Sequence, residues 1–323
     1  MKKFAIIGCG SISRRHAENI IRIGKLVAVC DTVPQQADKM ANEYNTKAYY
    51  SVDDLLANEK EIDLISICSP NGFHAEHIIK SLQAGKNVLT EKPLCLTTAA
   101  AWQIIETEKF CRKKLFVVKS ARYNPILQEL KNILQNNKLG KLYSFHLNCI
   151  WSRLPAYYTG WKGKLFPDGG TLYNQFSHYL DSVLWLFGEV AEVKGLRANI
   201  AHKESMEFED NGAAAFLMQN GMIGSLHWTV NAFRKNYEIA LTLVAEKGTL
   251  QIGGEYLNEV KYMNTGEDLS LSSFAKESLD SHKMMYDDLL KALENEYDNF
   301  PDAFDGLRTV ETIEKIYKAT SRT

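Results

Sequence analysis

The chain has 323 residues, 45% of them hydrophobic, which exceeds the size at which one core usually stops growing and so predicts two domains. With 38 Lys and Arg against 39 Asp and Glu, the formal charge is -1, and no basic tract interrupts it. This excludes nucleic acid as the main partner but leaves an anionic small molecule open, because one local Arg or Lys can hold it. The apolar run after Met1-Lys2-Lys3 breaks at Gly8 and Gly10, and no stretch approaches membrane-spanning length. The six cysteines are scattered without metal-binding spacing, as expected of reduced thiols in a cytoplasmic protein.

From Lys3 to about Lys119, short β-branched runs alternate with helical patterns. The runs are Phe4-Ile7, Leu26-Cys30, Leu64-Cys68, Val88-Leu89 and Leu115-Val118; a helical pattern at Ala75-Ala84 closes on Gly85. This rhythm predicts β-α units in a parallel sheet, a Rossmann domain over residues 1–121. Beyond Pro125 a helix leads to Gly140, and strand-like segments follow at Leu142-Ile150, Val193-Ala198, Ala213-Met218, Gly224-Val230, Ile239-Val244 and Thr249-Ile252. Turns such as Gln219-Asn220-Gly221 favour hairpins. The prediction is a second, α+β domain over residues 122–323 with a large, mostly antiparallel open sheet. Helices are predicted at roughly Tyr173-Phe187, Lys283-Glu296 and Asp305-Ala319, and a loop over Thr265-Ser281. Alternate apolar positions from Ala213 to Val244 leave an apolar face to cover, which predicts a homodimer or homotetramer.

Gly8-Cys9-Gly10-Ser11-Ile12-Ser13 follows a buried strand and opens a helix, the context in which two glycines let a pyrophosphate approach a helix N-terminus. Ser13 stands where a third glycine is usual, so the motif is degenerate. Asp31 ends the second strand at the offset where a carboxylate accepts hydrogen bonds from an adenosine ribose. A carboxylate there repels a 2'-phosphate, so NAD is favoured over NADP; the competing reading is a bare β-α turn with Asp31 as a helix cap. Ser69-Pro70-Asn71 lies at the carboxyl edge of the sheet, and Asn71 can cap the helix carrying His74. That segment reads equally as a direct cofactor contact or as a capped helix with a surface histidine. His74 and His77 lack a third ligand at a natural spacing, so no metal is expected.

Glu91-Lys92-Pro93 directly follows the strand Asn87-Thr90. A lysine at that edge is either a solvated partner of Glu91 or a desolvated base that takes a hydroxyl proton while hydride leaves the same carbon. In Gly169-Gly170-Thr171-Leu172-Tyr173-Asn174-Gln175-Phe176-Ser177-His178-Tyr179-Leu180-Asp181, a helix puts Asn174, His178 and Asp181 on one face. Such a polar row either meets substrate hydroxyls in a cleft or belongs to a satisfied buried histidine.

These segments together resemble the Gfo/Idh/MocA oxidoreductase family: the glycine turn followed by His16, Ser69-Pro70-Asn71-Gly72-Phe73-His74, Ala84-Gly85-Lys86-Asn87-Val88 into Glu91-Lys92-Pro93, and Gly169-Gly170 before Asn174, His178 and Asp181. The resemblance covers nearly the whole chain. It implies a Rossmann domain with an open α/β domain, NAD(P), hydride transfer at a carbinol carbon of a sugar or cyclitol, and Lys92 with His178 as the acid-base pair. Many members carry Asp where this chain has Asn174. With Tyr157-Tyr158 and Trp161-Lys162-Gly163 upstream, Asn174 is more similar to the UDP-N-acetylglucosaminuronate 3-dehydrogenase branch.

By that likeness, Trp161 and Lys162 lie near the cofactor or the substrate's anionic groups, and Arg122-Tyr123 matches a family segment near the site. Arg153 adds a guanidinium suited to a carboxylate or phosphate. Packing is an equal reading for Tyr157, Tyr158 and Trp161. The cofactor residues expected are thus Gly8, Gly10, Ser11, Ile12, Asp31, Ser69, Asn71, His74, Glu91, Lys92, Trp161 and Lys162; those for substrate are Lys92, Arg122, Tyr123, Arg153, Tyr158, Lys162, Asn174 and His178. Two other functions fit the fold: a dehydrogenase of free sugars or inositol-type cyclitols, and a non-catalytic NAD-binding sensor.

Overall fold

The computed structural model describes residues 1–266, 269–275, 280–294 and 299–322. The N-terminal part alternates strand and helix: β1 (Lys3–Ile7), α1 (Ser11–Ile23), β2 (Lys25–Cys30), α2 (Pro34–Tyr44), β3 (Lys47–Tyr49), α3 (Val52–Asn58), β4 (Leu64–Ile67), α4 (His74–Gln83), β5 (Asn87–Thr90), α5 (Thr98–Cys111) and β6 (Leu115–Val117). The strands form one parallel sheet in the order β3-β2-β1-β4-β5-β6. Helices cover both faces of such a sheet, so its strands carry unbroken apolar runs, and all four residues of β4 are buried. The order reverses between β1 and β4, the point at which open α/β sheets bind ligands beyond their carboxyl ends.

The middle of the chain holds α6 (Pro125–Gln135), β7 (Leu142–Ile150), a single turn α7 (Leu165–Asp168), α8 (Ser177–Phe187), β8 (Val190–Ala198), β9 (Asn211–Met218), β10 (Ile223–Thr229), β11 (Glu238–Ala245), β12 (Gly248–Gly253) and β13 (Glu259–Thr265). Then come α9 (Ser281–Leu293), α10 (Ala303–Ala319) and β14 (Thr320–Arg322). The described strands β7 to β14 form a second sheet ordered β13-β12-β11-β7-β10-β9-β8-β14; only the β7/β10 and β8/β14 pairs are parallel. The turn at Gln219-Asn220-Gly221 closes the β9/β10 hairpin, with Gly221 at a φ of +83°. One face of the sheet buries Phe145, Leu147, Phe216, Leu226, Trp228 and Leu243, whereas Leu196, Leu217 and Ile223 on the other are 60%, 42% and 61% exposed. Ile223 and Leu217 are direct cross-strand partners.

The fold class is therefore the expected one, with local differences. The strands β3, β13 and β14 and the turn α7 lie outside the predicted elements. The helix predicted over Tyr173-Phe187 opens as a π turn, Leu172–Phe176, before α8. The helix predicted to Glu296 ends at Leu293; Glu296 lies outside the described residues, as do positions 267–268 and 276–279 of the predicted loop. Among the described residues no helix is long and apolar enough to cross a membrane.

The chain divides into two compact units, Met1–Lys119 with Ser281–Val310, and Ser120–Asp280 with Glu311–Thr323. A single boundary between residues 121 and 122 thus misplaces Ser281–Val310. The cause is amphipathic patterning: Met285, Tyr286 and Leu289 on α9 have no solvent exposure and belong to the core of the first unit beside α1.

Candidate functional site

In the first unit, Gly8 follows β1 with φ +94°, and a Cβ there would lie 2.5 Å from the backbone of Cys68 and Ser69. Only glycine lets the two strand ends approach so closely. Gly10 caps α1 with no side-chain hydrogen bond, and a Cβ on it would meet nothing within 4 Å. The first-turn amides of Ser11 and Ile12 have no intrahelical acceptor, and no acidic residue sits in that turn. Backbone donors, an open approach and a helix dipole fit a pyrophosphate, so these residues are suited to hold a dinucleotide. The Asp31 carboxylate accepts from the amides of Cys9 (2.8 Å) and Val33 (2.9 Å), which ties the glycine turn to the end of β2. Each oxygen retains a lone pair for a ribose hydroxyl.

Gly8→Ala is expected to weaken NAD binding at least about tenfold and to lower the melting temperature, since it adds both strain and a backbone clash. A titration giving wild-type NAD affinity would refute this reading of the turn.

The neighbouring loop differs from its sequence reading. His74 has no solvent exposure, and its Nδ1 and Nε2 lie 2.7 and 2.8 Å from the carbonyls of Pro93 and Ser69. It is neither a surface histidine nor a direct cofactor contact; it links the loops after β4 and β5. Asn71 does not cap α4: Asn71–Phe73 is a 3-10 turn and Phe73 stands at the cap. The Ser69 hydroxyl is 2.9 Å from Nδ1 of His77.

Glu91 is also turned inward, at 7% exposure. Its Oε1 lies 2.9 Å from Nε2 of His16 and 3.7 Å from Nε2 of His282, and its Oε2 accepts the Lys92 amide at 3.1 Å. Nδ1 of His16 is 2.7 Å from the Tyr286 hydroxyl. Burial pushes the Glu91 pKa up, but His16 and His282 outweigh it and hold the carboxyl well below its ordinary range. His16, Glu91 and His282 bring their ligand-type atoms within 4.8 Å of one another, a juxtaposition the sequence reading did not foresee. Lys92 itself is half-buried, next to a cis peptide bond to Pro93.

Burial lowers the pKa of His16 and His74, and that of His77 to about 4. Rings shifted in this direction take protons more readily in the unfolded chain than in the fold. At these rings the unfolded chain binds more protons between about pH 6.5 and pH 4, which lowers stability as pH falls, whereas burial that raises Glu108 to about 7 and Glu209 to about 6 acts in the opposite sense. His77→Gln is therefore expected to lose less melting temperature than the wild type between about pH 6.5 and pH 4; a variant whose pH profile parallels the wild type's would contradict a depressed His77 pKa.

In the second unit, Arg122 has a partner the sequence did not suggest: its Nε and Nη2 donate to the Asp181 oxygens at 2.9 and 3.0 Å. Asp181 thereby leaves the polar row predicted on the helix, and Tyr123 is buried. The π turn at Leu172–Phe176 also alters the spacing that would align Asn174 with His178. Even so, from Leu172 to Phe187 only Asn174, His178 and Trp185 are not fully buried.

Arg153 sits just after β7 with its guanidinium 4.9 Å from the Trp151 ring and 5.1 Å from the Tyr157 ring. Its Nε donates to Gln175 (2.9 Å), and its Nη1 to the Ser152 carbonyl (2.8 Å) and Asn236 (3.1 Å). The Lys162 ammonium lies 4.0 Å from the centre of the same Tyr157 ring. Neither cation has a carboxylate within ion-pair distance among the described residues. The Gln175 amide donates to the Tyr157 hydroxyl at 2.8 Å, completing the frame. Tyr158 packs edge-on against His202, with its hydroxyl buried and without a hydrogen-bond partner among the described residues.

His202 lies 3.1 Å from Asp210, and its Nε2 is 2.7 Å from the Arg153 carbonyl, so a second, unforeseen pair braces Arg153 from behind. Burial raises the Asp210 pKa, but the amides of Ile200 and Ala201, with His202, outweigh it and hold the carboxyl low. Trp161 is half-buried in the turn carrying Lys162.

Residues 2–119 match the Gfo/Idh/MocA oxidoreductase model with its NAD-binding Rossmann fold, and residues 127–251 match the Gfo/Idh/MocA C-terminal domain. The WlbA dehydrogenase from Bordetella pertussis, solved with NADH and UDP-GlcNAcA, superposes with a TM-score of 0.91 at 30% identity, covering 98% of this chain and 96% of that one. The D-glucoside 3-dehydrogenase of Escherichia coli (strain K12) is 26% identical over 234 residues, 70% of this chain and 66% of that protein. The inositol 2-dehydrogenase of Rubrobacter xylanophilus is 27% identical over 259 residues, 76% and 70% of the two chains.

The chain belongs to the Gfo/Idh/MocA oxidoreductase family. It is an NAD-dependent oxidoreductase acting on a CH-OH group of a sugar or cyclitol, which sets aside a non-catalytic sensor.

Proposed function

We propose that the protein oxidises the C3 hydroxyl of UDP-N-acetylglucosaminuronate to a ketone, supplying a nucleotide sugar for surface polysaccharide. The observation that carries this choice is the pair of cations, Arg153 and Lys162, flanking Tyr157 with no carboxylate to neutralise them among the described residues. Two held positive charges suit a diphosphate or a uronate and add nothing for a neutral polyol. NAD, when bound, takes the hydride. Lys92 removes the hydroxyl proton, His178 assists as its acid-base partner, and Asn174 hydrogen-bonds the sugar. Gly8, Gly10, Ser11, Ile12 and Asp31 hold the dinucleotide. Free thiols at all six cysteines suit a reducing, cytoplasmic setting.

The test is thermal-shift measurement with NAD, then with NAD plus UDP-N-acetylglucosaminuronate or a panel of free polyols. A further stabilisation by the nucleotide sugar alone, followed by a 3-keto product, is the expected result. Stabilisation and turnover with inositol or a free sugar instead would overturn it in favour of a second reading, which the likeness to inositol 2-dehydrogenase supports.

The exposed apolar face of the second sheet, with Leu196, Leu217 and Ile223, supports a homodimer or homotetramer. Sedimentation is expected to give an oligomer that Leu217→Glu with Ile223→Glu disperses; a monomeric wild type would end that assignment.

A further inference from the structure

Asp168 closes the single turn α7 and is fully buried, yet no cofactor or substrate role falls to it in the reading above. Its Oδ2 accepts the amide of Gly163 at 2.8 Å, and its Oδ1 accepts Nδ2 of Asn174 at 2.8 Å. One carboxylate therefore joins the turn that carries Trp161 and Lys162 to the half-buried amide of the π turn. A carboxylate can only accept, so the NH2 end of Asn174 must face Asp168 and its Oδ1 must point the other way. Free rotation of that amide would let position 174 present either a donor or an acceptor; the buried carboxylate removes the choice.

We propose that Asp168 is a positioning residue for the reaction: it fixes Asn174 as a hydrogen-bond acceptor for a hydroxyl or N–H of the sugar and anchors the Lys162 turn through the same group. The proposal rests on the assignment of Asn174 and Lys162 to substrate binding. It also gives the amide at position 174 a reason. A carboxylate there would face Asp168 at hydrogen-bond distance, and the pair would have to share a proton.

The test is a reciprocal exchange. Asp168→Asn can still accept the Gly163 amide, but its NH2 then faces position 174, so the Asn174 amide turns over and presents a donor where the sugar needs an acceptor. It is expected to lower kcat/KM by about 10- to 100-fold. Asn174→Asp is expected to lower activity at neutral pH and to restore part of it as pH falls and the pair takes up a proton. The double variant, Asp168→Asn with Asn174→Asp, rebuilds both hydrogen bonds with the polarity of one reversed and still offers an acceptor at 174. Its kcat/KM is expected to recover to within about tenfold of wild type, and its pH profile to lose the new limb.

The cycle is run on whichever sugar the wild-type protein oxidises, so a wrong nucleotide-sugar assignment leaves it readable. A substrate-free measurement stands beside it. The carboxylate pair in Asn174→Asp has a folded-state pKa above the unfolded value, so its stability relative to wild type rises as pH falls, and this trend disappears in the double variant. Single variants that merely add, with an unaltered pH profile and no relative stability trend, would overturn the proposal.

Discussion

Lys92→Ala is expected to lower kcat by about 100- to 10,000-fold while NAD titrates with nearly wild-type affinity. The lysine follows β5 at the carboxyl edge of the sheet, and its amide is held by Glu91 rather than by its own side chain, so removing the ammonium leaves the loop anchored. Glu91 is in turn fixed by His16 and His282. The split between kcat and NAD affinity is the informative readout. Comparable turnover in Lys92→Ala would sink the assignment, whereas parallel loss of NAD binding would point to collapse of the loop. If His178 shares the same proton transfer, adding His178→Ala costs little beyond the worse single change, because groups acting as a unit are not additive.

The second large effect is expected at Arg153. Arg153→Met keeps an unbranched stem but removes the guanidinium that lies by the Trp151 and Tyr157 rings, and with it the charge. Charge-assisted hydrogen bonds contribute about 1.5–3 kcal/mol, so KM for an anionic nucleotide sugar should rise about 10- to 100-fold, with a smaller change in kcat. Any activity on a neutral polyol should be nearly unaffected. Steady-state kinetics on the two substrate types decides it: equal losses on both would mean that Arg153 braces the frame with Gln175 and Asn236 and does not read substrate charge.

Elements whose burial imposes a period were legible in the sequence, and those without such a constraint were not. The strand β4 is buried on all four residues and reads as a continuous apolar run; β9 alternates buried and exposed from end to end. By contrast β3 is three half-exposed or exposed residues, and β13 is an edge strand without a buried position, so neither carries a pattern to detect. The π turn is hidden because Leu172, Tyr173 and Phe176 are buried at either helical spacing.

At the site, Gly8 was legible because its backbone demand admits one residue type. The Arg122–Asp181 pair was not legible because its two charged side chains are far apart in sequence. The importance of Asp168 was not legible at all: a carboxylate between a proline and two glycines reads as an ordinary turn residue until its two donors are placed.

The return of Ser281–Val310 to the first unit bears on how the protein is made. A ribosome delivers all of β1 to β6 long before it delivers Tyr286, the residue whose hydroxyl meets His16 and Ser66 in the interior. The nascent nucleotide-binding sheet therefore spends most of translation with one side of its core unfilled, and its completion needs contacts of very large sequence separation, which form slowly. A stop codon anywhere before residue 281 should yield not a smaller dinucleotide-binding protein but a chain that chaperones retain or proteases remove.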